Sequence, residues 1–198
     1  MKVVLADYGA GNLRSVCAAL ERAGAAPEIS IDPDTVRGAP LTVIAGVGHV
    51  ESAARGLAPV TEALRERVAA GRPVLGICVG MQLLFGASEE GGEGLGLLAG
   101  SVRRVRAPRV PHMGWNTLAL TRPSALLEGL DGADVYFAHS YAAAPDDEEL
   151  AVAEVDHGGP IVAAVESGPL AGVQFHPERS AAAGARVLEN AIRWSRSA

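Results

Sequence analysis

The sequence predicts an α/β fold: a mostly parallel central sheet with helices on both faces and added antiparallel strands. Short apolar runs alternate with helical patterns through the first half of the chain, and the middle is denser in strands and turns. The length, 198 residues, suits a single domain spanning 1–198 with a substantial core.

Taken in order, residues 3–7 read as a strand, 12–23 as a helix, 28–31 and 43–45 as strands, and 59–70 as a helix. A buried strand follows at 73–77, and a helical pattern starts after Cys78. Residues 86–96 carry five glycines and three glutamates and read as a mobile surface loop. Strands are expected within 101–119 and 135–165, where the sheet gains antiparallel members. The run Asp146-Asp147-Glu148-Glu149 reads as a solvated turn, and 170–175 as a strand. Residues 179–195 close the chain as a helix, with Val187, Leu188, Ala191 and Trp194 along one face.

Apolar residues make up 48% of the chain and aromatics only 4%, so alanine, valine and leucine must fill the interior. The net charge is −6 with both signs mixed, which argues against a nucleic-acid footprint. The nearest basic cluster, Arg103, Arg104, Arg106 and Arg109, reads as facing solvent or a partner. Two cysteines make no disulfide framework, and Cys17 reads as a core thiol on the Leu20 side of its helix. Met1-Lys2 leads directly into a strand and no apolar run reaches a membrane span, so a cytoplasmic location is expected.

The most informative segment is Gly76-Ile77-Cys78-Val79-Gly80, at a strand-to-helix junction. Glycines two before and two after one cysteine fit a nucleophile elbow, with sulfur in place of a serine oxygen. The sulfur then lies over a helix N-terminus, which favours thiolate. Val79 N–H points into the same space and is suited to an oxyanion. Near the C-terminus, His176-Pro177-Glu178 follows another strand. A carboxylate two residues on fixes the imidazole tautomer and leaves the other nitrogen for the Cys78 proton. Both segments fall at C-terminal strand ends, the edge where open α/β sheets bind ligands.

The order Cys78, His176, Glu178 with these flanking residues resembles the class I (triad) glutamine amidotransferases, whose fold is flavodoxin-like. Three longer segments narrow the resemblance: Asp7-Tyr8-Gly9-Ala10-Gly11-Asn12-Leu13-Arg14-Ser15, Val110-Pro111-His112-Met113-Gly114-Trp115-Asn116 and Val135-Tyr136-Phe137-Ala138-His139-Ser140-Tyr141. They are similar to the glutaminase subunits of imidazole glycerol phosphate synthase, a family of histidine biosynthesis, over nearly the whole chain. The resemblance implies that Cys78 attacks the side-chain amide of glutamine and that the thioester is hydrolysed to glutamate. It implies a (β/α)8-barrel cyclase partner that uses the ammonia on a phosphoribulosyl formimino aminoimidazole carboxamide ribonucleotide. The products are imidazole glycerol phosphate and an aminoimidazole carboxamide ribonucleotide. No metal and no organic cofactor are implied.

Further roles follow from the resemblance. The loop Gly46-Val47-Gly48 supplies the second half of the oxyanion hole. Relatives usually carry proline where Ala45 stands; alanine frees φ and restores an N–H, which predicts a less rigid loop. Gln82 helps hold glutamine, as do His139, Ser140 and Tyr141, the last two at its α-amino and carboxylate groups. His139 is a rival base that ranks below His176 because no carboxylate follows it. Asn12, read as a helix cap, faces the partner with His112, Trp115 and Arg179. Gly9-Ala10-Gly11 is no dinucleotide fingerprint, because Arg14 stands where the third glycine belongs. Other readings of the residues stay open: the glutaminase of another synthase, a free-standing γ-glutamyl cysteine hydrolase active without a partner, or a flavodoxin-like binding module with a core cysteine.

Overall fold

The computed structural model describes residues 1–9 and 13–196, so Asn12 and its proposed roles lie outside the described residues. The first half runs β1 (Lys2–Ala6), α1 (Leu13–Arg22), β2 (Ala26–Ser30), α2 (Pro33–Gly38), β3 (Leu41–Gly46), α3 (Val50–Leu57) and α4 (Thr61–Ala69). Then come β4 (Val74–Cys78), α5 (Val79–Gln82), β5 (Phe85–Ser88), β6 (Leu98–Arg104), β7 (His112–Thr117) and β8 (Ala119–Leu120). The chain ends with β9 (Asp134–His139), β10 (Tyr141–Pro145), β11 (Ala151–Asp156), β12 (Pro160–Ser167), β13 (Leu170–Val173) and α6 (Ala181–Trp194).

One sheet has the order β2-β1-β3-β4-β13-β12-β11-β8. Its first five strands are parallel, and β12, β11 and β8 add on antiparallel. Nearly every residue of β1, β3, β4 and β13 is buried, as a sheet covered on both faces requires. The helices α1 and α6 pack together, as do α2 and α4. Cys17 sits half-buried against the core.

Several expectations change. The strands of the middle do not all join the main sheet: β10-β6-β5, where β5 and β6 are parallel, and the antiparallel β7-β9 form two small sheets of their own. Two helices went unforeseen. In α2, Asp32 accepts from Thr35 N at 2.7 Å and Pro33 opens the helix. In α3, Val50 N donates to the distant Glu90 carboxylate at 3.0 Å. The helix after Cys78 is a single turn, because the Leu83 and Leu84 carbonyls accept from Leu95 N, Leu97 N and Leu98 N at 2.7, 2.8 and 2.9 Å.

Residues 86–96 are likewise a folded strap and not a mobile loop. Residues 85–88 form β5, Gly94 N donates to Gly86 O at 2.7 Å, and Gly92 lies against Glu51. The glycines serve tight turns: φ is 111° at Gly91, 74° at Gly92 and 63° at Gly96.

Close approach decides the elbow. A Cβ on Gly80 would lie 1.8 Å from Ile44 O in β3, and one on Gly76 would lie 2.5 Å from Gly80 O. Gly80→Ala must push α5 off β3, so it should cost about 3 kcal/mol in urea unfolding. Gly38→Ala, with no atom within 4 Å, should change stability little in the same measurement.

Candidate active site

Cys78 is the last residue of β4 and the hinge into α5. Its φ of 54° and ψ of −110° lie in a region that non-glycine residues avoid, so the surrounding packing must hold it there. The parallel register pairs Cys78 with Gly46 on one side and Ile77 with Val173 on the other. Adjacent β13 therefore delivers the chain after Val173 to the same sheet edge.

His176 is pinned there by backbone bonds. Its N–H donates to Tyr136 O at 2.9 Å, and its carbonyl accepts from Ser180 Oγ at 2.7 Å. The following turn, Pro177–Arg179, brings Glu178 back so that its Oε1 lies 2.9 Å from His176 Nδ1. Both side chains are under one-tenth exposed. Nδ1 thus carries the hydrogen, and Nε2, buried without a conventional hydrogen-bond partner, is left for the sulfur. Burial by itself lowers the His176 pKa. Hydrogen bonding to Cys78 and Glu178 and the negative charge of both outweigh it and hold the ring at about 10. A sulfur, an imidazole and a carboxylate therefore stand in series, the order nucleophilic catalysis by a thiol needs.

The sulfur opens into a cavity of about 180 Å³, lined in part by Val47, Gly48, Val79 and Glu90. A larger cavity of about 820 Å³ lies between β6 and β12, bordered by Arg103, Arg104, Arg106 and Arg122. It holds no triad residue, so chemistry and not size locates the site. Val79 opens α5, and its N–H is among those a helix start leaves without an internal acceptor. Gly46 ends β3, Val47 is half-exposed and Gly48 takes φ 118°. Among the described residues, no group of three or more His, Cys, Asp or Glu side chains is placed to hold a metal.

The model of the class-I glutamine amidotransferase family matches residues 4–194. This chain belongs to the class-I glutamine amidotransferase family. It is 49% identical to the imidazole glycerol phosphate synthase subunit HisH of Mycolicibacterium paratuberculosis, with 96% of each chain covered. The subunit of the same description from Natronomonas pharaonis is 45% identical, over 96% of this chain and 94% of that one. Two solved structures share the fold. One is a glutamine amidotransferase (TM-score 0.79, 19% identity, 98% of both chains). The other is the glutaminase domain of a Trypanosoma brucei CTPS with bound acivicin (TM-score 0.68, 17% identity, 100% of this chain and 94% of that one).

The amidotransferase cavity is polar on the side facing β9 and β10, where Gln82, His139, Ser140 and Tyr141 line it. Gln82 is buried, and its Nε2 donates to Tyr141 O at 2.7 Å and to Gln174 Oε1 at 3.0 Å. His139 is no rival base. Its Nδ1 lies 2.9 Å from Tyr141 O and its Nε2 2.9 Å from His112 Nδ1, so neither nitrogen is open.

Of the residues expected at a partner interface, two lie on the surface. Trp115 is 56% exposed with its edge on Tyr136, and the Arg179 guanidinium lies 4.4 Å over the Tyr136 ring. His112 does not: it is buried and stacked between Phe137 and His157. Strand alternation turns His112 inward and sends Met113 and Trp115 out.

Three site residues escaped the sequence reading. Glu90 accepts from Val50 N, and its Oε1 pairs with His49 Nδ1 at 3.1 Å, tying the 86–96 strap to the start of α3. Within a glycine-rich run it carries no local signal. Gln174 donates Nε2 to Cys78 Sγ at 3.6 Å. Tyr8, buried beside the site, donates to Val47 O at 3.5 Å. Burial, and then negative charge at Cys78 and Asp7, push its phenol up.

Glu178→Gln leaves the shape but removes the charge opposite the imidazolium. Glutamate release should fall about a thousandfold or more. A second expectation concerns acid stability. Burial holds His112 at about 4 and His139 at about 3. Below about pH 6.5 the unfolded chain gains protons on both rings while the folded rings stay neutral. Stability present above that pH is thus lost as pH falls toward 4 and then 3. Urea midpoints measured from pH 7 to 4.5 should drop, and less steeply in His112→Gln.

Proposed function

We propose that this amidotransferase is the glutaminase subunit of an imidazole glycerol phosphate synthase and feeds ammonia to a cyclase in histidine biosynthesis. The glutaminase half of the reading rests on the Cys78–His176–Glu178 series. The synthase half rests on full-length relatives that carry that description.

The geometry supports the following sequence of steps. Glutamine enters the cavity with its α-ammonium toward the Glu90 carboxylate and its α-carboxylate toward Ser140 and Tyr141. His176 Nε2 already holds the Cys78 proton in the resting pair, and the thiolate sulfur bonds to the side-chain amide carbon. The carbonyl electron pair moves to oxygen, which is held by Val79 N–H and an N–H of the 46–48 loop. Collapse breaks the C–N bond, and His176 returns its proton to the departing nitrogen as ammonia. Water, deprotonated by the same ring, then attacks the thioester and releases glutamate. Glu178 holds the imidazolium throughout.

Ammonia released into neutral water would protonate and lose its nucleophilicity, so it must pass directly into the partner. That partner is read as a (β/α)8-barrel cyclase acting on a phosphoribulosyl formimino aminoimidazole carboxamide ribonucleotide. A docking face is available. Met113 and Trp115 are 64% and 56% exposed on the outer side of β7. Met113 also lines the cavity, so a subunit seated there closes the site to water. No helix is long and apolar enough to cross a membrane among the described residues, and none is needed.

The chain alone should hydrolyse glutamine weakly, since the 46–48 loop needs the partner to complete the oxyanion hole. Glutamate release should rise about 5–150-fold when a cyclase and its acceptor nucleotide are added. Equal rates with and without them would defeat the reading, as would loss of amide-nitrogen transfer into the imidazole product.

A further inference from the structure

Gln174 stands one residue past β13 and two before His176, and it is fully buried. No step of the reaction described above uses it. Its Nε2 nevertheless donates to the Cys78 sulfur at 3.6 Å, and its Oε1 accepts from Gln82 Nε2 at 3.0 Å.

The orientation of that amide follows from the groups behind it. Tyr141 O is a carbonyl and only accepts; it receives Gln82 Nε2 at 2.7 Å and His139 Nδ1 at 2.9 Å. Gln82 must therefore turn its NH2 toward Tyr141, and the same NH2 group reaches Gln174. The Gln174 atom it meets must be the oxygen. The Gln174 NH2 is then left facing Cys78. The far side of the network agrees. With its one hydrogen on Nδ1, the neutral His139 ring accepts at Nε2 from His112 Nδ1 at 2.9 Å. His112 Nε2 in turn accepts from Asn116 Nδ2 at 3.2 Å, and Asn116 also donates to Asp156 O at 2.9 Å. Two backbone carbonyls thus set the direction of every hydrogen bond, and the last donor points at sulfur.

We propose that Gln174 is a catalytic residue of the glutaminase, a fixed N–H donor that stabilises Cys78 as thiolate before attack and again when thioester hydrolysis expels it. The proposal rests on the reading of Cys78 as nucleophile. A buried anion needs donors aimed at it. The single turn of α5 is a short source of dipole, and Cys78 is only 2% exposed, which leaves little room for water. Gln174 and His176 meet the sulfur from the same strand end. One supplies a donor that never leaves, the other a proton that must.

The test compares wild type with Gln174→Met, which removes the donor, and Gln174→Glu, which keeps the shape but puts carboxylate oxygen against sulfur. The readout is the pH dependence of Cys78 alkylation by iodoacetamide, which needs neither glutamine nor partner. The other titratable groups around the sulfur, His176, Tyr8, Glu90, His139 and Tyr141, are present in all three proteins. A difference between them therefore belongs to residue 174.

Expected is a rise of about one pH unit or more in the alkylation midpoint for Gln174→Met, and a larger one for Gln174→Glu. With the cyclase present, kcat should fall about tenfold or more while KM stays within about twofold. Midpoints equal to wild type in the folded variants overturn the proposal, even if glutaminase activity persists. A shifted midpoint with no glutamate formed even by wild type and cyclase together leaves the donor in place and overturns the functional reading instead. Should neither variant fold, wild type labelled with ¹⁵N in its glutamine side chains decides. The Gln174 resonance, identified by its displacement in Cys78→Ala, should move with the alkylation midpoint, and a flat response overturns the proposal.

Discussion

Everything at the site depends on β4 and β13 lying side by side and parallel. That pairing, with Val173 opposite Ile77, carries two distant stretches of chain off the same sheet edge. One ends in Cys78 and the other continues through Gln174 to His176. Cys78 is the last residue of β4, and His176 lies three residues past the end of β13. The chemistry gathers where the two strands end, because the backbone beyond them is free to turn side chains into a common space. A slip of one residue would send every side chain of β13 to the opposite face and separate imidazole from sulfur.

The glycines around Cys78 translate that pairing into a strained hinge. The close approach of Gly80 to Ile44 O and of Gly76 to Gly80 O locks α5 against β3 as well as β4. Cys78 is thus held by three elements, and its positive φ persists because none can relax without displacing another. The 46–48 loop is less constrained. It begins beside Cys78 at Gly46; past that point the Val47 carbonyl accepts from the Tyr8 hydroxyl, and Glu90 holds His49 and Val50 just beyond. A rigid Cys78 beside a lightly held loop suits the proposed completion of the site by a second protein.

The β7–β9 ribbon joins that outer surface to the interior. Its inward residues, His112 and His139, belong to the buried hydrogen-bond chain that ends at sulfur. Its outward residues, Met113, Trp115 and Tyr136, form the exposed face, with Arg179 laid across Tyr136. The backbone of Tyr136 also anchors His176. Pressure on the outer face therefore meets strands that anchor the His176 backbone and line the cavity.

Local signals in the chain sufficed for the alternating elements, the glycine-flanked cysteine, the His-Pro-Glu turn and the closing helix. Each rests on residues within a few positions of one another, where periodicity and turn chemistry act. The Asp32-Pro33 start of α2 was equally local and went unread. The other misses have a different origin. Glu90 caps α3 from forty positions away, and Gln174 reaches Cys78 across ninety-six. The shortness of α5 depends on carbonyls claimed by Leu95, Leu97 and Leu98, and the burial of His112 on Phe137 and His157. Amino-acid order dictates which groups a segment must bury and where it must turn. Which donor meets which acceptor depends on strand neighbours and their register, and those exist only once the sheet has closed.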